Sequence, residues 1–390
     1  MQFPLSTQTF AMSDIAALRS LGHEVTVECL LPQDRKQKRL CATYELDHRD
    51  IHNATLGNYL LGVPLLLKYL VENPALFRSL VRELAGNPRR LLIFLALLPR
   101  VAALVYELTR RPPDVVHAFW GHWPSLVPAL LKRYAPGVRT SVHMGAYDLY
   151  AGFPLHVTAR VVDDRFTHSI SNLPRISEMG VIGEIHMIHR GIPVGDLSPA
   201  GPEGTVIPQI PMQFCTASAL VKDKNVDRAL RVFALIKQAH PEATFVIAGD
   251  GPERRNLEAL ASSLNIEDAV SFVGYVKRQD LFRIMCASQF FLFLSGKVSE
   301  RLPNVVKEAM LAKCVCFVSA TQGIEELVQG PEYGFVLGDG GDVETVAREV
   351  LDALDDIHIL RSVAERAYSL VIGGFTSEAA MKKYVAVWAG

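Results

Sequence analysis

The chain has 390 residues, of which 49% are apolar, and its formal net charge at neutral pH is −1. A chain of this size can bury two hydrophobic cores, and its apolar content excludes a disordered protein. The balanced charge excludes the strongly basic surface with which proteins bind a nucleic-acid backbone. We therefore expect a globular protein of two domains without a nucleic-acid partner.

Six cysteines are scattered along the chain, and no two of them form a C-x-x-C pair. This usage favours reduced thiols that bind no metal, as is usual in the cytosol. The first residues also lack the pattern of a signal peptide. The sequence therefore predicts a cytoplasmic protein.

Residues 59–111 form a region rich in leucine, valine and arginine. Its longest apolar run, 91–98, is interrupted by Pro99 and Arg100 and is too short to span a bilayer. The region is dotted with basic residues, namely Arg89, Arg90, Arg100, Arg110 and Arg111. We interpret it as a pair of core helices with a solvated basic face, and peripheral membrane contact through 59–111 is the alternative.

Three predicted strands follow, and each of them leads into a loop with polar residues. They lie at residues 114–118, 140–144 and 167–171. The first two contain His117 and His143. By residue type alone, a histidine such as His117 more often packs into the core than binds a ligand. A Pro- and Gly-rich segment that begins at residue 197 then marks a linker.

The second half of the chain alternates strands with helices, which is typical of a parallel sheet. The strands are predicted at residues 214–220, 244–248, 270–274, 290–295 and 315–318. A glycine turn from Gly249 to Gly251 follows a strand as in dinucleotide-binding proteins, but Arg254 occupies the third glycine position. No acidic residue ends the next strand at the required place, which argues against an oxidoreductase.

The stretch 299–310 combines a loop and a helix directly after the apolar strand 290–295. Pro303 suits the first helical position, because its missing N–H is not needed there and its φ is already helical. A helix that begins beyond a parallel strand presents free N–H groups, which favour phosphate. Glu300 lies in the loop and Glu308 in the helix, although glutamates are common on any surface helix.

These residues resemble the glutamate-x7-glutamate signature of the retaining nucleotide-sugar glycosyltransferases of family 4, which have the GT-B fold. The residues from Leu302 to Val305 between the glutamates, and Ala309 and Met310 after them, strengthen the resemblance. It is strong over residues 214–340 and loose before them. It implies an α/β protein with two Rossmann-like domains whose parallel sheets face a cleft.

The resemblance also implies the boundaries of the domains. An N-terminal acceptor-side domain would comprise residues 1–196, followed by a linker at 197–210 and a nucleotide-sugar-binding domain at 211–373. The C-terminal helix, 374–390, would pack back on the first domain. Residues 3–10 resemble the first loop of exopolysaccharide-type members, in which a strand precedes that loop. Either the first domain lacks its opening strand, or the protein begins upstream of the first residue shown.

In this family an arginine and a lysine neutralise the leaving diphosphate, whose charge grows in the transition state. The chain keeps Lys224, but Ser218 and Ala219 replace the glycine and the arginine of the family motif. Lys222 or Arg301 would have to supply the missing charge. Without a substitute, the stabilisation of the transition state would be weaker by a few kcal/mol.

The resemblance assigns further roles in the second half of the chain. Glu300 would position hydroxyls of the donor sugar, and Glu308 would hold the ribose. Lys224 and the backbone at the start of the following helix would hold the diphosphate. The donor-binding residues implied besides Glu308 are Leu302, Asn304, Val305, Ser218, Tyr275, Val276, Gly323 and Arg301.

The first half of the chain matches the family less well. His117 corresponds to the first histidine of a His-x-His motif, whose second position is Phe119 here. Asp148 fits a His-Gly-x-Asp motif, but Gly145 stands at the histidine position and His143 lies two residues earlier. The resemblance implies that Asp148 belongs to the catalytic set and that His143 or His117 contacts the donor sugar.

The activity implied by the resemblance is retaining transfer of a sugar from a nucleotide diphosphate-sugar, such as a UDP-sugar, to a hydroxyl of a glycan, a glycolipid or a small molecule. The leaving phosphate would take the proton of the acceptor, so no protein nucleophile, metal or other cofactor is expected. The setting would be polysaccharide or glycolipid biosynthesis, in the cytoplasm or at the inner face of the cell membrane. Two alternatives stay open: an isomerase similar to nucleotide-sugar 2-epimerases, and a catalytically weak partner subunit, as Ala219 suggests.

Overall fold

The structure is a computed structural model that describes residues 3, 9–32, 41, 47–195, 197, 206–296, 302–338 and 342–390. The chain divides into an N-terminal unit, Met1–Gly191 with Ala380–Gly390, and a C-terminal unit, Ile192–Ala379. Both units are α/β and contain parallel sheets, as the sequence predicts. The question of an opening strand and the predictions for Glu300 and Arg301 lie outside the described residues.

The described part of the N-terminal unit contains a pair of short parallel strands and a sheet of four parallel strands. The pair is β1 (Val27–Glu28) and β2 (Ile51–His52). The sheet has the order β3 (Val115–Ala118), β4 (Arg139–His143), β5 (Asp164–Thr167) and β6 (His186–Met187). The strand predicted at 167–171 ends at Thr167 instead, because residues Ile170–Asn172 form a 3-10 turn capped by the Ser169 side chain.

The helices of this unit precede, connect and follow its strands. In chain order they are α1 (Thr9–Ser20), α2 (Leu56–Glu72), α3 (Pro74–Leu84), α4 (Pro88–Arg110), α5 (Leu126–Tyr134), α6 (Ala146–Tyr150), α7 (Leu155–Ala159) and α8 (Leu173–Glu178). The largest core of the unit lies where α4 and α5 pack with the sheet, and Phe94, Leu130 and Val142 are all buried in it.

Helix α4 runs without a break through Pro99, although the apolar run of the sequence ends at residue 98. The helix continues because side chains on both sides of the proline, such as Phe94 and Val101, are buried in one core. It also packs closely against α2, where a Cβ on Gly62 would lie 1.7 Å from the carbonyl oxygen of Pro99. The region predicted as a helix pair therefore folds as three helices, α2 to α4.

With 23 residues, α4 is long and apolar enough to cross a membrane, but 50% of its most apolar window is buried inside the unit. Helices α2 and α3 meet at 99° and provide a second candidate only if the bent pair counts as one span. Core helices of water-soluble proteins satisfy the same criteria of length and composition. These findings, made on the described residues, are therefore weak evidence for a membrane span.

Arg100 is the most deeply buried cation of this region, with 1% of its side chain exposed. Its Nη2 donates to Glu28 Oε2 at 3.0 Å, and its Nη1 donates to Glu107 Oε2 at 3.1 Å. Its Nε donates to the carbonyl oxygen of Cys29 at 3.3 Å. Arg100 thus ties α4 to β1 from within the unit, and its predicted place on a solvated basic face is wrong.

Replacing Arg100 with alanine should destabilise the N-terminal unit by about 3 kcal/mol, because two carboxylates lose a buried partner. All three tryptophans, Trp120, Trp123 and Trp388, belong to this unit, so their fluorescence during urea unfolding reports on it selectively. The matched control is Arg110→Ala, since this exposed arginine at the end of α4 should change stability by less than about 0.5 kcal/mol. Equal losses in the two variants would contradict the role of Arg100.

The described part of the C-terminal unit contains a sheet of six parallel strands. In chain order they are β7 (Ile210–Ala217), β8 (Thr244–Ala248), β9 (Val270–Gly274), β10 (Ser288–Phe293), β11 (Val315–Ser319) and β12 (Phe335–Leu337). The spatial order is β12-β11-β10-β7-β8-β9. The chain therefore moves outward from β7, returns to the other side of β7 as β10, and moves outward again.

Helices cover both faces of this sheet. They are α9 (Val226–Ala239), α10 (Arg254–Ser263), α11 (Arg278–Ala287), α12 (Asn304–Leu311), α13 (Val343–Leu354) and α14 (Ile357–Gly374). Strand β10 shows why: Phe290 and Leu292 belong to one core cluster, whereas Phe291 and Phe293 belong to the other. Alternate side chains point to opposite faces, so an apolar run of this kind must be buried on both sides.

The last helix, α15 (Ser377–Ala389), begins in the C-terminal unit, and its residues from Ala380 onward belong to the N-terminal unit. There the ring of Tyr384 stacks on Phe166 of β5 at a centroid distance of 4.2 Å. Trp388 donates from Nε1 to the hydroxyl of Ser141 in β4 at 3.0 Å. The end of the chain is thus part of the packing of the N-terminal sheet.

All six cysteines are buried and free. Burial raises the pKa of Cys29 and of Cys286 to about 11. Burial likewise raises the pKa of Cys314 and of Cys316. These thiols therefore stay protonated at neutral pH, and they act as small apolar side chains of the cores.

Candidate functional site

Two loops meet where strands β7 and β10 end side by side. The loop after β7 forms a turn at Lys222–Lys224, and the ammonium of Lys224 lies 5.5 Å from the ring centre of Phe293 at the end of β10. The backbone N–H of Gly296, beyond β10, donates to the carbonyl oxygen of Asp223 at 3.0 Å. The strand order reverses at this point, and in open parallel sheets ligands bind beyond the carboxyl ends of the strands at such a reversal.

Helix α12 begins in the connection that follows β10. Pro303 is buried and has ψ 126°, so it precedes the helix, which begins at Asn304, one residue later than predicted. The first helical hydrogen bond is donated by Val306 to the carbonyl oxygen of Pro303 at 3.1 Å. The N–H groups of Asn304 and Val305 precede it, so no carbonyl within the described part of the helix accepts from them, and groups of this kind bind anions. Leu302 lies half-buried just before this turn.

Glu308 lies in α12 and is held by an arginine that the sequence analysis does not single out. Its Oε1 accepts a hydrogen bond from Arg278 Nε at 2.7 Å, and 13% of its side chain is exposed. Arg278 also donates from Nη2 to the carbonyl oxygen of Pro193 at 2.7 Å. This carboxylate is therefore fixed in one orientation, with its other oxygen available to a ligand hydroxyl.

The loop after β7 also contains Ser218 and Ala219. The hydroxyl of Ser218 is buried and has no hydrogen-bond partner among the residues that the structure describes, whereas Ala219 is exposed. Gly249 has φ +142°, and a Cβ there would lie 1.8 Å from the carbonyl oxygen of Ser218. The glycine turn after β8 is therefore required for close packing of the two loops, which is a structural reason for the Gly-x-Gly pattern.

The remaining donor-binding candidates follow other strands of the sheet. Tyr275 and Val276 follow β9 at the edge of the sheet, where 84% of Tyr275 is exposed. Gly323 follows β11 and has φ +92°, a conformation that favours glycine, and its N–H donates to Glu325 Oε2 at 3.1 Å. The structure thus brings the Lys224 loop directly against the end of β10, and it places these three residues after β9 and β11.

In the N-terminal unit, His143 is buried in a cluster of polar and aromatic groups. Its Nδ1 lies 2.9 Å from the hydroxyl of Tyr384, and its Nε2 lies 3.3 Å from His168 Nδ1 and 3.4 Å from Arg190 Nη2. The ring also stacks on His168 at a centroid distance of 5.4 Å. Burial, and then the charge of Arg190, lower the pKa of His143 well below its usual value, so this histidine is neutral at physiological pH.

His117 packs next to this cluster. Its Nδ1 lies 2.8 Å from the hydroxyl of Ser141, and its ring contacts those of Phe166, Tyr384 and Trp388. Burial, and then the charge of Arg190, lower the pKa of His117 to about 3. This environment is that of a packing histidine.

Asp148 is fully buried, and its partner is His122 rather than His143. Its Oδ1 lies 2.7 Å from His122 Nδ1, and its Oδ2 accepts a hydrogen bond from the N–H of Gly145 at 2.9 Å. Asp148 therefore fixes the start of α6 and the orientation of the His122 ring. A carboxylate that is buried in this way acts on a ligand only through that histidine.

Because the folded pKa of His117 lies below its unfolded value, the unfolded chain binds more protons as the pH falls below about 6.5. The stability of the N-terminal unit should therefore fall with the pH from about 6.5 towards 3, by up to about 1.4 kcal/mol per pH unit for each such histidine. His117→Gln should reduce this slope, as measured by urea unfolding followed by tryptophan fluorescence. The control is His240→Gln in the C-terminal unit, and an unchanged slope in His117→Gln would contradict the interpretation.

Residues 202–370 match the family model of the glycosyl transferases group 1. The chain therefore contains a glycosyl transferases group 1 domain. The matched part contains the whole six-stranded sheet of the C-terminal unit. Membership of family 4 is consistent with this match.

Two relatives match different lengths of this chain. N-acetyl-alpha-D-glucosaminyl L-malate synthase of Bacillus anthracis is 32% identical over 167 residues, which are 43% of this chain and 42% of that enzyme. WcaL of Salmonella typhimurium, named as a colanic acid biosynthesis glycosyltransferase, is 22% identical over 408 residues, which are 97% of this chain and 95% of that protein. The chain thus spans less than half of the first relative and nearly all of the second.

Among solved structures, Anabaena HepE in complex with UDP and glucose aligns with a TM-score of 0.63 at 16% sequence identity. The alignment covers 99% of this chain and 96% of that chain. The chain therefore has the GT-B fold that its sequence predicts. In the part of the chain that the structure describes, no three histidines, cysteines or acidic residues are grouped as metal ligands.

Proposed function

We propose that this glycosyltransferase transfers a sugar from a nucleotide diphosphate-sugar, with a UDP-sugar as the first choice, to an acceptor hydroxyl with retention of configuration. The acceptor would be a glycan, a glycolipid or a small molecule in polysaccharide or glycolipid biosynthesis. The name of WcaL supports this setting, and the UDP and glucose bound to HepE support the class of donor.

The observation that carries the proposal is the junction of the loops beyond β7 and β10. It combines the ammonium of Lys224 with a connection that leads to the free N–H groups of Asn304 and Val305. Both kinds of donor bind phosphate oxygens, and both lie at the carboxyl end of the sheet. Lys224 would thus bind the diphosphate more tightly as the negative charge of the diphosphate grows while it leaves the sugar.

In the proposed reaction, the bond between the anomeric carbon and the diphosphate oxygen breaks, and its electron pair stays on the diphosphate. The acceptor oxygen forms the new bond to the anomeric carbon on the same face, and its proton passes to a phosphate oxygen. No metal or other cofactor takes part in this scheme. Glu300 would orient hydroxyls of the sugar, and Arg301 or Lys222 would add the charge that Ala219 cannot supply.

Glu308 is assigned to the hydroxyls of the ribose. Because Arg278 holds its Oε1, the carboxylate is oriented before the nucleotide binds, and no side chain has to be ordered. A carboxylate that accepts hydrogen bonds from two neighbouring hydroxyls favours a nucleotide over a ligand that lacks these hydroxyls. The preference is strong because hydrogen bonds to charged groups are stronger than those between neutral groups.

Glu308→Ala should raise the Kd for UDP by about tenfold to a hundredfold, which corresponds to the loss of hydrogen bonds to a charged group. Isothermal titration calorimetry measures this change, after thermal shifts with a panel of nucleotide sugars have identified the best donor. The matched control is Glu365→Ala, because Glu365 pairs with Lys313 at 2.8 Å elsewhere in the same unit. An unchanged Kd in Glu308→Ala would refute the assignment.

Lys224→Ala should lower kcat/KM by about 10²- to 10³-fold, the effect expected when one preorganised charge contact with the transition state is removed. Lys313→Ala serves as the control, since its ammonium pairs with Glu365 on the surface. Proton NMR of the product made by the wild-type protein tests the stereochemistry, and a product of inverted configuration would refute the retaining mechanism.

A catalytically weak partner subunit is the second candidate, because Ala219 is exposed at the position where the family has a cationic side chain. This function predicts donor binding without turnover over a broad range of acceptors. Turnover of the donor without any acceptor would favour instead the isomerase similar to nucleotide-sugar 2-epimerases.

We also assign this protein to the cytoplasm, with peripheral contact at the inner face of the membrane through residues 59–111. Apolar side chains of α2 and α4 support this assignment, since Leu60, Leu67 and Leu92 are each at least 65% exposed. Basic residues of the same region, among them Arg89 and Arg90, would face anionic lipids.

A further inference from the structure

A cavity of about 310 Å³ lies within the N-terminal unit, between the start of α4 and the segments on either side of α6. Its polar lining includes Arg89, Arg90 and His122, and Trp123, Tyr147 and Phe153 supply aromatic surface. None of the residues that line it is acidic. A cavity that combines two cations with apolar walls has the composition of a site for an anion on an apolar carrier.

His122 is the group in this cavity whose bonding is incomplete. Its side chain is 3% exposed, and its Nδ1 is bonded to Asp148 at 2.7 Å. Its Nε2 is buried and has no hydrogen-bond partner among the residues that the structure describes. Buried polar atoms in folded proteins are almost always hydrogen-bonded, so a nitrogen left without a partner beside a cavity indicates a missing ligand group.

The guanidinium of Arg90 lies directly against Gly152. Gly152 has φ +67°, and a Cβ at this glycine would lie 1.9 Å from Nη1 of Arg90, so only the absence of a side chain leaves room for the guanidinium. Neither Arg90 nor Arg89 forms an ion pair within the described part of the chain, and both remain available to an external anion. They also lie in the first turn of α4, a helix of 23 residues, where the helix dipole adds positive potential.

We propose that this cavity is a binding site for a phosphate group. Arg89 and Arg90 neutralise the charge of the phosphate, and His122 bonds one of its oxygens through Nε2. Asp148 contacts the opposite ring nitrogen, Nδ1, at 2.7 Å and so fixes the orientation of the His122 ring. Trp123, Tyr147 and Phe153 contact the apolar part of the molecule that carries the phosphate.

The proposal is independent of the proposed sugar transfer. Every residue that lines the cavity belongs to the N-terminal unit, whereas Lys224, Glu308 and the other donor candidates belong to the C-terminal unit. The phosphate could belong to a soluble phosphomonoester or to a lipid headgroup, since both present the same oxyanion. Exposed apolar residues on the same helix, such as Leu92 and Leu95, are suited to contact with lipid. A lipid headgroup is therefore tested in a separate arm of the experiment.

The test measures binding of phenyl phosphate to the full chain by isothermal titration calorimetry, with phenol as the uncharged comparison. Arg90→Ala and His122→Gln should each weaken binding by about tenfold or more, as expected for the loss of a charged contact. Arg82→Ala is the matched control, because Arg82 is exposed on α3 and does not line the cavity. Since His122→Gln could unfold the unit, Arg90→Ala is the deciding variant, with Trp fluorescence confirming that it is folded.

A second arm uses vesicles of phosphatidylcholine with and without phosphatidic acid. Loss of binding to the phosphatidic acid vesicles in Arg90→Ala identifies a lipid headgroup as the source, whereas loss confined to phenyl phosphate identifies a soluble ligand. A local readout accompanies both arms: the Nε2 signal of His122 in nitrogen-15 NMR, assigned with His122→Gln, should shift when phenyl phosphate is added. Equal binding by wild type, Arg90→Ala and Arg82→Ala in both arms, without a shift of that signal, would overturn the proposal.

Discussion

Parallel pairing of β10 with β7 is the constraint on which the arrangement of the C-terminal unit depends. Phe290 lies opposite Phe214 and Phe291 opposite Cys215, so the two strands run in the same direction and end together. The chain has by then passed through β8 and β9 on the other side of β7. Any group placed directly after either strand therefore faces the same crevice. The proposed nucleotide donor requires several contacts at one place, and this pairing brings the two loops together there.

The buried histidines of the N-terminal unit lie in two different environments. His143 and His117 are packed among aromatic rings close to Arg190, and this environment disfavours their protonated forms. His122 is equally buried, but a carboxylate contacts its Nδ1 at 2.7 Å. The three histidines therefore differ in their polar partners, which are Tyr384, His168 and Arg190 for His143, Ser141 for His117 and Asp148 for His122.

Much of the fold follows from the sequence, because local patterns decide local structure. The alternation of strands and helices in the second half predicts the parallel sheet, and the apolar residues of β10 predict burial on both faces. Helix α4 shows the limit of this reasoning. The apolar run of the sequence ends at residue 98, but the helix continues through Pro99 and packs against Gly62 and the core. The same limit applies to Arg100, because one of its carboxylate partners, Glu28, lies 72 residues away in the sequence.

The candidate site shows the same division. The spacing of Glu308 and the place of Lys224 identify the helix and the loop, whereas Arg278 as the partner of Glu308 and His122 as the partner of Asp148 emerge only from the folded chain. Pairs of this kind depend on how segments that follow different strands pack together. The periodicity of the sequence does not reveal this packing. Glu300 and Arg301 stay predictions from the sequence.

The burial of all six thiols has a practical consequence. Alkylating and fluorescent reagents attack the thiolate, and burial shields these side chains from such reagents. A cysteine introduced at an exposed position of either unit would therefore be the fast-reacting one in an otherwise unreactive background. Dye pairs attached in this way could follow the two units during turnover without prior removal of any native cysteine.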